Sequence, residues 1–108
     1  MADLASKKCV PCAGGVSPLQ GEEIRRLQEQ LGGNWRVVDE HHLEKEFTLP
    51  TFRGNINFVN RVADLSEQQD HHPSIHIDYR RTKIEIWTHK INGLTESDFV
   101  LAAKIDKI

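Results

Sequence analysis

The sequence predicts a single α+β domain, a four-stranded antiparallel sheet with three helices packed on one face. Three observations predict it. Apolar residues recur at helical spacing in three separate stretches of the 108-residue chain. Between those stretches lie two pairs of short alternating segments, each pair joined by a connection too short for a parallel crossover. The resulting order is helix, strand, strand, helix, strand, strand, helix, in which helices cover one sheet face and leave the other partly bare. A chain of this length buries one modest core.

Residues 1–16 read as a flexible lead-in and residues 17–108 as the domain. Ser17-Pro18 offers a helix start with proline at the first helical position, and Glu22 and Glu23 suit the early turns. Leu19, Ile24, Leu27 and Leu31 follow at helical spacing, and Gly32-Gly33 ends the helix. Trp35 to Val38 is strand-like, and Asp39-Glu40 suits a turn. From His42 to Leu49 the chain alternates, with Leu43, Lys45, Phe47 and Leu49 on one face and His42, Glu44, Glu46 and Thr48 on the other. Pro50 stops this strand and Thr51 caps the next helix.

In that second helix Phe52, Ile56, Val59, Val62 and Ala63 form a stripe at spacings of three and four. Phe58 and Leu65 fall off the stripe, which predicts a second buried or partner-facing side. The helix ends near Gln68 or Gln69, because Pro73 pushes the residue before it away from helical geometry. Ile75, Ile77 and Tyr79 alternate with His76 and Asp78; after a turn at Arg80-Arg81, Ile84 and Ile86 alternate with Lys83, Glu85 and Trp87. Asn92-Gly93 forms a turn, and Thr95 with Asp98 marks the start of the last helix. That helix carries Phe99, Ala102 and Ala103 on one side and Leu101, Ile105 and Ile108 on another. The helix-free sheet face, with its polar groups and Trp87, is expected to line a site or a subunit contact.

Charge and hydropathy exclude several function classes. A formal net charge of -2 and a pI of about 6.3 provide no basic face for direct nucleic-acid binding. No apolar stretch approaches the roughly 18 residues of a membrane span. Met1 to Lys8 lacks the apolar core of a signal peptide, so a soluble intracellular protein is expected. The two cysteines, Cys9 and Cys12, have the spacing of a redox motif or half a zinc site. Neither the flanking strand and helix nor a second ligand pair accompanies them, so they are expected to be inert in the tail.

The histidines carry the chemistry. Asp70-His71-His72-Pro73 precedes the second strand pair, and that pair leads to Thr88-His89. Adjacent side chains in an extended segment diverge, so one of His71 and His72 faces a pocket while the other orients substrate or backbone. His89, with the parity of Lys83, Glu85 and Trp87, is brought beside them if the two strands pair. Glu67, one helical turn earlier, can hold an imidazole in one tautomer. Imidazoles with pKa values near neutrality suit acid–base work. Three histidines can also hold zinc, but adjacent histidines diverge and the helical i, i+4 pair of zinc enzymes is missing. His41, His42 and His76 are expected to be solvated, and Trp35 and Trp87 read by themselves as packing residues.

Glu67-x-x-Asp70-His71-His72-Pro73, a strand pair, Thr88-His89 and Gly93-Leu94-Thr95-x-x-Asp98 together resemble the signature of the pterin-4a-carbinolamine dehydratase family. Trp35 and the Phe52 to Leu65 helix also fall where that family has a tryptophan and a long helix. Trp87 stands where some relatives carry a small residue, and Ser74 to Asp78 lacks the aromatic that some carry soon after the proline.

The resemblance implies dehydration of 4a-hydroxytetrahydropterin to quinonoid dihydropterin, recycling the pterin after aromatic amino acid hydroxylation. It implies no metal or organic cofactor and assembly as a homodimer or homotetramer in the cytoplasm, with a nuclear pool allowed. His71 and His89 would be the acid–base residues, His72 would bind substrate beside them, and Glu67 would support the cluster. Asp70, Pro73, Trp35, Trp87, Thr88 and Lys90 would complete the substrate pocket. The alternative is a protein-binding module, a dimerisation cofactor of a transcription factor or a partner of an aromatic amino acid hydroxylase, acting through the 51–69 helix with Phe58 and Leu65.

Overall fold

The structure, a computed structural model, describes residues 3–10 and 14–108. Its elements are α1 (Gly21–Leu31), β1 (Arg36–Val38), β2 (His42–Thr48), α2 (Phe52–Gln69), β3 (Ser74–Asp78), β4 (Arg81–Ile86) and α3 (Glu96–Ile105). The strands form one antiparallel sheet in the order β1-β2-β4-β3. Among the described residues no helix is long and apolar enough to cross a membrane.

Alternation decides which sheet face is covered. Leu43 of β2 and Ile84 and Ile86 of β4 are fully buried, while His42, Glu44, Lys83 and Glu85 take the opposite face. Helix α3 lies at the centre of the core. Every residue from Ser97 to Ala103, and Ile105, is buried; a helix apolar nearly all round is one enclosed on all sides. The sheet, α1 and α2 supply most of that enclosure. The rest comes from residues 3–10, where a lead-in was expected to be flexible. Leu4 is buried, the Lys104 ammonium donates to the Ala5 carbonyl, and the Val10 N–H donates to Ser97 Oγ. Cys9 lies in this segment; Cys12 lies outside the described residues.

Three further sequence expectations are corrected. Helix α1 starts at Gly21, not at Pro18, because the Leu19 N–H donates to the Leu94 carbonyl at 2.9 Å and holds the preceding segment extended. The β3–β4 turn sits one residue earlier, with Tyr79 left-handed at φ 53°. The buried stripe of α2 is Asn55, Phe58, Val62 and Ser66. Phe52 and Ala63, read as core-facing, are exposed. Two of the four buried positions are polar, so apolar periodicity misplaced the phase. Asn55 is buried because its amide donates to the carbonyls of Tyr79 and Arg81, at 2.9 and 3.1 Å, while its Oδ1 accepts from Thr82. These bonds tie the turn to α2. Phe58, expected to be partner-facing as one option, packs on Phe47 with ring centroids 4.8 Å apart.

Candidate active site

Helix α2 ends at Asp70, whose left-handed conformation (φ 51°) turns the chain sharply. The His71 N–H donates to the Ser66 carbonyl at 3.1 Å, closing the last turn. His71 and His72 then leave in different directions. His71 turns inward, with Nε2 2.6 Å from Asp98 Oδ1. His72 is half exposed and reaches back to Glu67 Oε2 at 3.0 Å.

The opposite wall comes from the segment after β4. Thr88 and Gly93 bond backbone to backbone in both directions, closing the 88–93 loop. Within that loop His89 begins a single 3-10 turn (His89–Ile91) instead of ending a strand as expected. Its ring stacks on Trp87 with centroids 4.4 Å apart and planes 5° from parallel. His41 approaches the same indole at 5.2 Å.

Asp98 joins the two walls. Its Oδ2 accepts from Thr88 Oγ1 at 2.9 Å and from the Thr95 N–H at 2.8 Å, and its Oδ1 meets His71. The carboxylate is fully buried, with all three partners able to donate. In the sequence Asp98 reads as a helix-start residue and as the last position of the family signature, without a role in the pocket. It is part of a capping box with Thr95, and the same side chain also orients His71. With Nε2 engaged by Asp98, Nδ1 is the ring nitrogen left to exchange a proton with a ligand.

The result is an open cleft of about 410 Å³ lined by Asp70, His71, His72, Trp87, Thr88, His89 and Lys90. Seven expected site residues therefore meet in one place, including the three imidazoles. The volume is at the lower end of small-ligand sites. Glu67 acts on His72, while Pro73 follows the histidines outside the lining. Trp35 is elsewhere: it is buried in the core, donates from Nε1 to Asp106 Oδ2 at 3.0 Å, and packs edge-on against Phe47. Its burial corrects the expectation that it walls the pocket.

Residues 17–108 match the sequence model described as Pterin 4 alpha carbinolamine dehydratase. The chain belongs to that family. A Rubrobacter xylanophilus protein, provisionally named a pterin-4-alpha-carbinolamine dehydratase, is 57% identical over 108 residues, covering 100% of both chains. A protein of the same provisional name from Alkaliphilus metalliredigens is 46% identical over 99% of this chain and 96% of its own. Among solved structures, a transcriptional coactivator/pterin dehydratase from Brucella melitensis superposes with a TM-score of 0.77 at 29% identity, covering 84% of this chain and 97% of its own. A pterin dehydratase-like protein described as a RuBisCO assembly factor in the alpha-carboxysome shares the fold, with a TM-score of 0.61 at 23% identity over 71% of this chain and 90% of its own. The pterin dehydratase fold thus accounts for the α+β architecture seen here.

Proposed function

We propose that the chain dehydrates 4a-hydroxytetrahydropterin to quinonoid dihydropterin and water by histidine acid–base catalysis, in the pterin recycling that follows aromatic amino acid hydroxylation. The observation that carries this reading is the placement of His71, oriented by buried Asp98, and His89, stacked on Trp87, in one cleft.

The chemistry asks little beyond proton transfer. An acid protonates the hydroxyl on C4a, the N5 lone pair expels it as water, and a base takes the N5 proton to complete the C4a=N5 bond. His71 and His89 supply the acid and the base. His72, steadied by Glu67, binds the substrate, and the stacked Trp87–His89 pair walls the cleft beside it. Asp70, Thr88 and Lys90 provide polar edges. General acid–base assistance of this kind contributes about 10²–10⁴-fold.

The test is the dehydration rate of freshly generated 4a-hydroxytetrahydropterin in the presence of chelator. The expected result is fast turnover by the unmodified chain and loss of about 10²–10⁴-fold in His71→Ala and His89→Ala. A folded protein with no rate above the spontaneous reaction overturns the reading.

A second role, binding another protein or a second copy of the chain, is supported by one surface. Phe52 at the start of α2 is 50% exposed. It stacks on exposed Tyr79, with ring centroids 6.5 Å apart. This pair, not Phe58, is the place for such a contact. Phe52→Asp with Tyr79→Asp should lower the mass seen by sedimentation if self-association uses it; an unchanged mass excludes it.

A further inference from the structure

The helix-free sheet face carries a second histidine cluster, beside Trp87, whose ring centroid lies 5.8 Å from that of His42. Glu44 of β2 and Glu85 of β4 stand directly opposite each other in the antiparallel register. Their side chains are only 13% and 19% exposed. Like charges placed directly opposite oppose strand pairing. His42 lies two residues before Glu44 on the same face, with its side chain 16% exposed and its Nε2 3.3 Å from Glu85 Oε2. One ligand atom from each of His42, Glu44 and Glu85 lies within 4.8 Å of the others. This corrects the expectation of a solvated His42.

The hydrogen-bond chain from Asn92 through His41 accommodates a His42 tautomer whose Nε2 is bare. Asn92 Oδ1 can only accept, so His41 Nε2, 2.8 Å away, carries the proton. In the matching tautomer His41 Nδ1 accepts from His42 Nδ1, 2.9 Å away. In that tautomer the His42 Nε2 lone pair faces Glu85 Oε2, 3.3 Å away.

The cations nearby do not fill that gap. Arg36 pairs with Glu44, and Lys83 stands 3.9 Å from the same carboxylate. His76 Nε2, 2.7 Å from Glu85 Oε1, engages that oxygen and leaves Oε2 turned toward His42.

We propose that His42, Glu44 and Glu85 form a site for a divalent first-row metal ion of the zinc class, with His76 as the supporting partner of Glu85. One imidazole nitrogen and two carboxylates make a mixed nitrogen and oxygen donor set, in which a bound ion competes with Arg36 and Lys83 for Glu44. The imidazole favours zinc-like ions over magnesium or calcium. Three protein ligands leave room for water in a tetrahedral shell, and a ligating carboxylate is ordinarily hydrogen-bonded in its turn, as Glu85 is to His76.

The experiment uses untagged full chain with Cys9→Ser and Cys12→Ser, so that thiols do not compete. Zn²⁺ is titrated by calorimetry, and Co²⁺ by visible absorption as a report on the ligand shell. The expected result is one ion per chain, with affinity falling at least about tenfold in His42→Ala and in Glu85→Gln. Glu44→Gln supplies a third variant if either fails to fold by circular dichroism. His71→Ala with His89→Ala should bind zinc as the parent does. Affinity weaker than about 1 mM, retention in the folded Glu85→Gln chain, loss in the His71/His89 variant, or preference for Mg²⁺ overturns the proposal.

Discussion

His71 and Asp98 are joined across 27 residues of sequence by a 2.6 Å contact that ends on a fully buried carboxylate. One aspartate therefore starts α3 and orients an imidazole in the cleft. Asp98→Asn keeps the shape but replaces an acceptor oxygen with a donor amide, so either the cap or the His71 contact loses its partner. The expected outcome is a fall of about 10²-fold or more in dehydration kcat, with destabilisation of about 0.5–2 kcal/mol from the impaired cap. Steady-state kinetics and urea unfolding of the same preparation separate the two effects.

Trp87 holds His89 by parallel stacking instead of by a hydrogen bond. Trp87→Ala should leave the fold intact, since the indole is only partly buried, yet release the His89 ring. We expect kcat/KM for dehydration to fall about tenfold or more, the equivalent of about 1.4 kcal/mol of transition-state stabilisation. Trp87→Phe should recover part of it. Equal activity in all three chains would show that the stack does not position His89.

Phe58 packs in the core against Phe47. Phe58→Ala is expected to cost about 3–5 kcal/mol of stability, read as a lower denaturation midpoint. A change in oligomeric mass at unchanged stability would instead place Phe58 on a surface.

Burial raises the Cys9 thiol from its ordinary 9.0 to about 11, against the lowering influence of Lys104 and with a further rise from Asp98. Cys9 is therefore expected to alkylate far more slowly than a free thiol at pH 8, as site-resolved mass spectrometry can measure. The linkage has a definite sign. Between about pH 9 and 11 the unfolded chain loses this proton while the folded chain keeps it. The contribution is complete below pH 9 and is lost as pH rises through that window. Cys9→Ser should flatten that part of the stability–pH curve.

Much of the architecture follows from local patterning. The alternation at 42–49 and 83–87 assigns the covered sheet face correctly, because period-two burial is a property of the strand itself. The helix-start pair Thr95 and Asp98 forms the expected capping box. The phase of α2 was not legible. Its buried stripe includes Asn55 and Ser66, and a polar residue signals burial only through partners elsewhere in the fold, here the carbonyls of Tyr79 and Arg81.

The site divides in the same way. By itself the sequence determined the α+β order, the family signature and the three imidazoles that share the cleft, because these depend on residue type and spacing along the chain. Only the tertiary structure decided that Asp98 orients His71, that Trp87 carries His89, and that Trp35 belongs to the core. It also brought His42, Glu44 and Glu85 together across two strands. Those relationships depend on strand register and on the closure of the 88–93 loop, which are set by packing between distant segments rather than by the preference of any one of them.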